Sequence, residues 1–272
     1  MTGLLSAIEP VTRAASEGGG GLQFPPIENL VLWPAWFAEG TIFEFNKITF
    51  ISVFATVVTV ILFFIVGRKA KLVPTGLQNL METSVDFVEK QVIGAAIGPD
   101  GMRYLPMLLS MFFFIFITNL FEVIPTSHMP GNARMANPLV LALLALVMYV
   151  GVGVKHNGLG YFKAALFPPG VPAALYILVT PIELLSTFII RPFSLAVRLF
   201  ANMLAGHILL VTFSVLTITL VAGPLLLKPV ALVSFPMLVA FTGFEFMVSF
   251  LQAFIFALLT AVYIGGALHP HH

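Results

Sequence analysis

Residues 229–267 have the sequence PVALVSFPMLVAFTGFEFMVSFLQAFIFALLTAVYIGGA, in which Glu245 is the only charged side chain. A continuous helix of this length, with a rise of about 1.5 Å per residue, extends for about 60 Å. That is twice the roughly 30 Å thickness of the hydrocarbon core of a bilayer. The run therefore predicts a membrane helix that is either strongly tilted or broken along its length.

Four further apolar runs bring the expected number of membrane spans to five. Three are close to the roughly 20 residues that a spanning helix needs, and the fourth is longer than the last one. The predicted spans are residues 46–67, 104–124, 135–155, 172–222 and 229–267. Hydrophobic residues make up 59% of the chain and charged residues only 9%, against roughly 45–50% and 25% in soluble domains. We predict an all-α membrane protein with five transmembrane helices.

Residues 1–42 precede the single helical membrane domain expected over residues 43–268, and they have the character of an extramembrane arm. A glycine run and a Pro-Pro pair indicate a flexible linker and an extended loop. Trp33 and Trp36 are typical of side chains that anchor a protein at the membrane interface. The short apolar run of the arm lacks a basic leader and is too brief for a signal peptide.

Residues 74–98 are too polar to cross a membrane, yet they have two distinct faces. The apolar positions that recur at helical spacing are Leu77, Met81, Val85, Val88 and Val92. The acidic residues Glu82, Asp86 and Glu89 share another face. This pattern predicts an amphipathic helix that lies at the inner membrane interface.

The distribution of lysine and arginine predicts the orientation of the spans. With five spans, seven of these residues fall on the side of the first loop and four on the other, while Arg191 and Arg198 lie in the membrane. Cytoplasmic loops carry the excess of positive charge, so we expect the N-terminus outside and the C-terminus in the cytoplasm. Pro192 could instead break the fourth run and produce six spans. That alternative requires a polar turn at Arg191, which has Ile-Ile before it and Pro-Phe-Ser after it.

Composition excludes several classes of function. The net charge of +1 provides no basic field for a nucleic acid, and the absence of cysteine excludes disulfides, thiolate metal sites and thiol nucleophiles. No phosphate-binding loop motif is present. The terminal histidines 269, 271 and 272 have no carboxylate or thiolate near them in the sequence, so we expect no metal site there. We therefore expect no cofactor, no nucleic-acid partner and no enzymatic activity of the chain on its own.

Four polar side chains lie far from the predicted ends of the last two spans, where an ionisable group costs roughly 2.5–3.5 kcal/mol on insertion scales. The hairpin joining these spans turns near residue 226, so facing residues have numbers that add up to about 452. This register sets Arg198 level with Gln252, and His207 level with Glu245, roughly 10–13 Å nearer the outer side. Asn202 shares the helical face of Arg198, whereas His207 lies on the opposite face.

The chemistry of these groups favours proton transfer. Histidine titrates near neutral pH, and together with a carboxyl group it suits passing protons from the outer water. Arginine does not titrate in proteins, so Arg198 suits a fixed charge that repels a proton or attracts a carboxylate.

The run RPFSLAVRLFANMLAGH at residues 191–207 closely resembles subunit a of F-type ATP synthases. So do Gln252 in SFLQAFIFALLTAVY and the stretch MFFFIFITNLFEVIP at residues 111–125. The resemblance covers most of the chain and is weakest over the first 40 residues. It implies the proton-translocating stator subunit of a rotary motor in the bacterial plasma membrane, with two offset aqueous half-channels. It also implies two long, strongly tilted helices packed as a hairpin against a ring of c subunits, with the peripheral-stalk b subunits and the remainder of the ATP synthase as further partners.

The same resemblance implies roles for individual residues. Arg198 matches the essential arginine, which displaces the proton from the ring carboxylate and blocks leakage between the half-channels. Asn202 and Gln252 match its polar neighbours. His207 and Glu245 match the pair that lines the outer half-channel.

Two further acidic residues also have counterparts in that family. Glu122 resembles an acidic residue near the outer mouth. Glu183 resembles one in the inner half-channel, although its spacing to Arg191 is one residue longer than the family pattern. Arg191 itself is expected to make a packing or lipid contact.

A secondary cation/proton antiporter is the alternative from another functional class, because such proteins also place charges in broken membrane helices. This reading predicts internal repeats. The charged pattern of the last two spans has no counterpart in the first three.

Overall fold

The computed structural model describes residues 45–68, 73–124, 131–167, 172, 175–223 and 228–269. The predictions for the N-terminal arm, including Trp33 and Trp36, lie outside the described residues. So do those for His271 and His272.

Apart from the three-residue segment Gly94–Ala96, the described residues form eight α-helices, which we number in chain order. They are α1 (Lys47–Arg68), α2 (Leu77–Val88), α3 (Leu105–Val123), α4 (Ala136–Asn157), α5 (Gly160–Leu166), α6 (Tyr176–Leu185), α7 (Arg191–Ala222) and α8 (Lys228–Leu268). A 3-10 turn, Pro99–Tyr104, leads into α3. Two π-helical turns extend helices: Glu89–Ile93 follows α2, with Gly94–Ala96 after it, and Ser186–Ile190 joins α6 to α7.

The prediction of five transmembrane helices in an all-α protein is confirmed. Within the described ranges, five helical stretches are long and apolar enough to cross a membrane. They are Lys47–Arg68, Pro99–Val123, Ala136–Asn157, Tyr176–Ala222 and Lys228–Leu268. Backbone groups in a bilayer have no water to bond with, so these apolar runs satisfy them within helices.

Several hydroxyl groups inside the spans bond to their own helix. Thr59 Oγ1 donates to the Ala55 carbonyl at 2.7 Å, and Thr260 Oγ1 donates to the Phe256 carbonyl at 2.8 Å. Each bond joins a side chain to the carbonyl four residues earlier. Such residues therefore sit in an apolar span without a partner on another helix.

The fourth predicted span is not interrupted at Pro192. Helix α6 continues through the π turn into α7, and the whole stretch Tyr176–Ala222 counts as one span of 47 residues. The six-span alternative is therefore not supported. This span begins at Tyr176, four residues later than predicted.

The amphipathic helix is shorter than the predicted 74–98. It begins at Leu77 because Gly76 has a φ of 59°, outside the helical region, and Gly98 with a φ of 83° lies beyond its last turn. Met81, Val88 and Val92 are buried as the apolar face requires. Leu77 is exposed, whereas the next residue, Gln78, is buried. Gln78 bonds along the helix through its Nε2 to Glu82 Oε1, at 2.7 Å.

The chain groups into two compact units, and the first comprises residues 1–54, 117–134 and 200–250. In this unit the start of α1 packs on the end of α3, where Ile48 and Ile51 contact Phe121. The rings of Phe54 and Phe121 meet edge to face at 5.5 Å. Gly131 fits closely beside Ile51, since an added Cβ would lie 3.1 Å from the Ile51 Cγ2.

Helices α7 and α8 pair within this first unit in the register expected from the sequence. Thr217 Oγ1 donates to Ser234 Oγ at 3.1 Å, and the Phe213 and Phe241 rings lie 4.7 Å apart. Gly206 packs against the carboxyl group of Glu245. The residue numbers of these pairs add up to 451, 454 and 451, so the predicted total of about 452 is confirmed in this part of the hairpin.

The second unit comprises residues 55–116, 135–199 and 251–272. Its core contains Tyr149, Tyr161 and Ile264. Gly153 lets α4 and α5 approach closely, because an added Cβ would lie 2.5 Å from the Tyr161 ring. The end of α8 is held by Asn157, whose Nδ2 donates to the Ala267 carbonyl at 2.9 Å.

Candidate functional site

Three of the predicted site residues, Glu122, His207 and Glu245, are buried in the first unit, and we call them the acid cluster. Their exposed fractions are 0%, 3% and 4%. Glu122 lies in the last turn of α3, His207 on α7 and Glu245 on α8. Gly206 leaves space for the Glu245 carboxyl group, because an added Cβ at position 206 would lie 2.6 Å from Glu245 Oε1 and closer still to Oε2.

The carboxyl groups of the acid cluster lie close enough for the charges of Glu122 and Glu245 to interact. Within the described part of the chain, neither oxygen of Glu122 has a hydrogen-bond partner, and Oε2 of Glu245 has none. A buried carboxyl group without a partner is stable in a membrane only when it is protonated or hydrated. This arrangement can therefore hold a proton and exchange it with water.

A polar group that sequence reasoning missed lies next to Glu122 in the same unit. Asn132 Nδ2 donates to Thr118 Oγ1 at 3.0 Å and to Asn119 Oδ1 at 2.6 Å. All three side chains are fully buried. Among the described residues, neither Asn119 Nδ2 nor Asn132 Oδ1 has a hydrogen-bond partner. These groups extend the polar surroundings of Glu122 by a donor and an acceptor that can bind water.

Part of this group had a signal in the sequence. Asn119 stands three residues before Glu122 on one helix, so the two share a face of α3. Asn132 belongs to the segment that follows residues 125–130. No periodic pattern in the sequence predicts the contact of Asn132 with α3.

Arg198 lies in the second unit, and its side chain is exposed. It makes no ion pair and no hydrogen bond with any residue that the structure describes. Among these residues, no buried acid of the same chain therefore pairs with Arg198. Gln252, also in the second unit, is buried on α8. The predicted level of Arg198 and Gln252 stays a prediction.

Several exposed positions along α7, which also carries Arg198, have small side chains. Ser194, Ala201 and Ala205 are exposed like Arg198 and recur at intervals of three or four residues. Asn202, which was predicted on the same face as Arg198, is half-buried. The exposed face thus offers one cation on a surface that another helix can approach closely.

Glu183 and Arg191, like Arg198, lie in the second unit. Glu183 is half-buried on α6, ahead of the π turn, and it makes no ion pair within the described ranges. The guanidinium group of Arg191 lies 5.3 Å from the centre of the Tyr263 ring, which agrees with the expected packing role. Burial raises the pKa of the nearby Tyr161 hydroxyl, and the charge of Arg191 opposes that shift.

Of the three C-terminal histidines, only His269 lies within the described residues. His269 Nε2 lies 4.0 Å from Asp100 Oδ2, and both side chains are exposed. Nowhere in the described ranges do three His, Asp or Glu side chains come together as metal ligands.

Comparison with known proteins identifies the family. The family model described as ATP synthase A chain matches residues 49–265. The chain is 42% identical to the ATP synthase subunit a of Frankia alni over 264 residues, which cover 95% of this chain and 89% of the relative. It is 44% identical to that of Rhodococcus erythropolis over 234 residues, 84% of each chain. That of Hyphomonas neptunium is 43% identical over 220 residues, 78% of this chain and 83% of the relative. The chain belongs to the ATP synthase A chain family.

Proposed function

We propose that this chain is the proton-translocating stator subunit of an F-type ATP synthase in a bacterial plasma membrane. Family membership supports the assignment of the whole subunit. The observation that carries the mechanism is the exposed guanidinium group of Arg198 on an apolar spanning helix, where no described residue pairs with it. A cation in that setting costs several kcal/mol unless an anion or water accompanies it. The stator meets this need with a carboxylate from the adjacent c-subunit ring.

The chemistry of arginine defines what Arg198 does at that contact. An arginine side chain does not give up its proton in proteins, so arginine is unsuited to relaying one. It attracts a ring carboxylate in the ionised form and thereby releases the proton that the carboxylate carried. The same charge repels protons and separates two half-channels. Asn202 and Gln252 act as its polar neighbours.

The surface around Arg198 suits a rotating partner. Serine and alanine at positions 194, 201 and 205 leave little side-chain bulk on the exposed face. Small residues allow helix backbones to approach closely in membranes. A ring helix can therefore bring its carboxyl group to Arg198 and then move past without displacing large side chains.

The acid cluster serves the outer half-channel in this proposal. Glu122 receives protons near the outer mouth, and His207 and Glu245 pass them towards the ring. Their burial, and the carboxyl oxygens that have no hydrogen-bond partner among the described residues, support groups that bind and release protons. Glu183 serves the inner half-channel.

The rest of the assignment follows from this role. The N-terminus lies outside and the C-terminus in the cytoplasm, as the excess of positive charge on one side favours. The peripheral-stalk b subunits hold the chain against the ring, and the remaining subunits of the complex carry out ATP synthesis. The chain itself is not an enzyme.

The test is ATP-driven proton pumping by membrane vesicles that carry Arg198→Ala, with assembly of the complex verified. We expect pumping to be lost and passive proton leak to rise. Arg191→Ala is the matched control, because it removes the same side chain seven residues away on the same helix, and it should retain most pumping per assembled complex. Normal pumping with Arg198→Ala would overturn the proposal. Transport by the purified chain without a ring would favour the antiporter.

A further inference from the structure

Pro192 removes a backbone donor in the middle of the fourth span, and the hydrogen bonds around it can be traced residue by residue. The N–H of Arg191 bonds to the carbonyl of Ser186, five residues earlier, across the π turn. In an α-helix, that N–H would have bonded to the carbonyl of Thr187. In the π register, the donor for Thr187 would be residue 192, and proline has no N–H. In the π register that the helix adopts here, the Thr187 carbonyl therefore has no backbone donor, because Arg191 bonds to Ser186 and Pro192 has no N–H.

A side chain from another helix replaces the missing donor. The hydroxyl of Tyr149 on α4 donates to the Thr187 carbonyl. Tyr149 is fully buried and Thr187 nearly so, so bulk water has no access to take over this bond. All of these residues belong to the second unit, as does Arg198.

Aromatic contacts fix both partners of this bond. The rings of Tyr149 and Tyr263 meet edge to face at 5.7 Å. Beside Thr187, the Phe188 ring stacks on the Phe162 ring of α5 at 6.0 Å. The hydroxyl proton of Tyr149 is committed to a carbonyl oxygen, so this tyrosine is placed to orient a helix and not to relay protons.

We infer that Tyr149 is a positioning residue for Arg198, because its hydroxyl supplies the bond that Pro192 removes and so holds the fourth span in one orientation. The inference rests on the proposed role of Arg198, six residues beyond Pro192. Kinks in long helices concentrate at prolines and π turns. Without the Tyr149 bond, the buried Thr187 carbonyl can regain a donor only if the helix bends or changes its register. Either movement turns Arg198 away from its place.

The test is Tyr149→Phe in the assembled complex, with ATP-driven pumping and passive leak measured per assembled complex. We expect pumping about tenfold lower, the population shift that an unpaired buried carbonyl produces, together with raised leak. Tyr263→Phe is the matched control, since it removes the hydroxyl of the other ring in the same pair, and that hydroxyl has no hydrogen-bond partner among the described residues. It should leave both rates unchanged.

Rescue distinguishes positioning from general destabilisation. Pro192→Ala gives residue 192 an N–H that can bond to the Thr187 carbonyl, so Tyr149→Phe/Pro192→Ala should pump as well as Pro192→Ala alone. A second readout uses the absence of native cysteine. The thiol of Ser194→Cys, one turn before Arg198, should change its labelling rate in Tyr149→Phe and recover in the double variant.

The outcomes separate this inference from the proposed function. Unchanged pumping in Tyr149→Phe, or a double variant no better than the single one, overturns the role of Tyr149. If Tyr149→Phe fails to assemble, assembly of the double variant supports the role, and failure of both overturns it. Arg198→Ala, measured in parallel, tests the proposed function alone. Normal pumping by Arg198→Ala would overturn the proposed function. If Arg198→Ala loses pumping and Tyr149→Phe pumps normally, only the role of Tyr149 is overturned.

Discussion

The acid cluster of the first unit and Arg198 of the second are ionisable groups in membrane helices that differ in their exposure. Glu122, His207 and Glu245 are almost completely buried, and two of them have carboxyl oxygens without hydrogen-bond partners among the described residues. Arg198 is exposed and equally lacks an ion partner there. Both arrangements are costly for a folded membrane protein.

The difference teaches what each group can do. A carboxyl group can escape the cost of burial by binding a proton, so an unpartnered acid suits a site where protons are taken up and released. An arginine guanidinium group cannot lower the cost of burial in this way, because it keeps its charge in proteins. Its exposure instead leaves it available to an anion from outside the chain. The two regions should therefore fail in different ways when they are altered.

The largest effect is expected from Arg198→Lys, which keeps a positive charge on the exposed face. An ammonium group is compact, can lose its proton and cannot form a two-pronged pair with a carboxylate. We expect ATP-driven pumping to fall more than tenfold, with a passive leak between those of the native chain and Arg198→Ala. Vesicle fluorescence assays of both rates check this. Native-like pumping would show that charge alone suffices.

The next largest effect is expected from Glu245→Gln, which keeps the shape of a buried acid but cannot bind or release a proton. We expect pumping about tenfold lower at neutral pH and no increase in passive leak, since Arg198 remains in place. Glu122→Gln should act in the same direction with a smaller effect, because it lies nearer the proposed outer mouth. A rise in leak comparable to that of Arg198→Ala would remove the distinction between the two regions.

Much of the fold was accessible from sequence for a physical reason. A bilayer imposes its thickness on every spanning helix, so the lengths of the apolar runs, with the distribution of lysine and arginine, predicted five spans. An antiparallel hairpin has one register, and the predicted total of about 452 agrees with the observed pair of Thr217 and Ser234. The predicted amphipathic helix was too long because Gly76 and Gly98 were not recognised as its limits. The polar motif of α7 was sufficient to suggest the family.

The contacts that could not be predicted join parts of the chain with no shared periodicity. Tyr149 reaches a carbonyl 38 residues away, and Asn132 reaches Asn119 from a segment beyond the end of α3. Hydrophobicity patterns describe which face of a helix is apolar. They do not say which carbonyl lacks a donor, and this depends on the π turn before Pro192.

A smaller effect is expected from Gly206→Ala, which tests how tightly the acid cluster is packed. The new Cβ would collide with the Glu245 carboxyl group, and overpacking of this kind costs about 1–3 kcal/mol. We expect pumping to fall several-fold without added leak. Gly151→Ala is the matched control, because an added Cβ there meets nothing within 4 Å. Equal pumping by the two variants would mean that the Glu245 side chain moves aside freely.

The smallest expected change in pumping comes from Asn132→Ala, which removes the hydrogen bonds to Thr118 and Asn119 but no ionisable group. Losing a buried polar partner destabilises a protein by about 1–3 kcal/mol, so the thermal unfolding midpoint of the purified complex should fall. Pumping per assembled complex should fall less than twofold, because Asn119 can recover a partner from water in the polar space beside Glu122. Asn79→Ala, at an exposed position of α2, should leave both quantities unchanged. A loss of pumping as large as that of Glu245→Gln would instead place Asn132 among the groups that carry protons. The acid cluster would then include polar side chains that bind water as well as those that titrate.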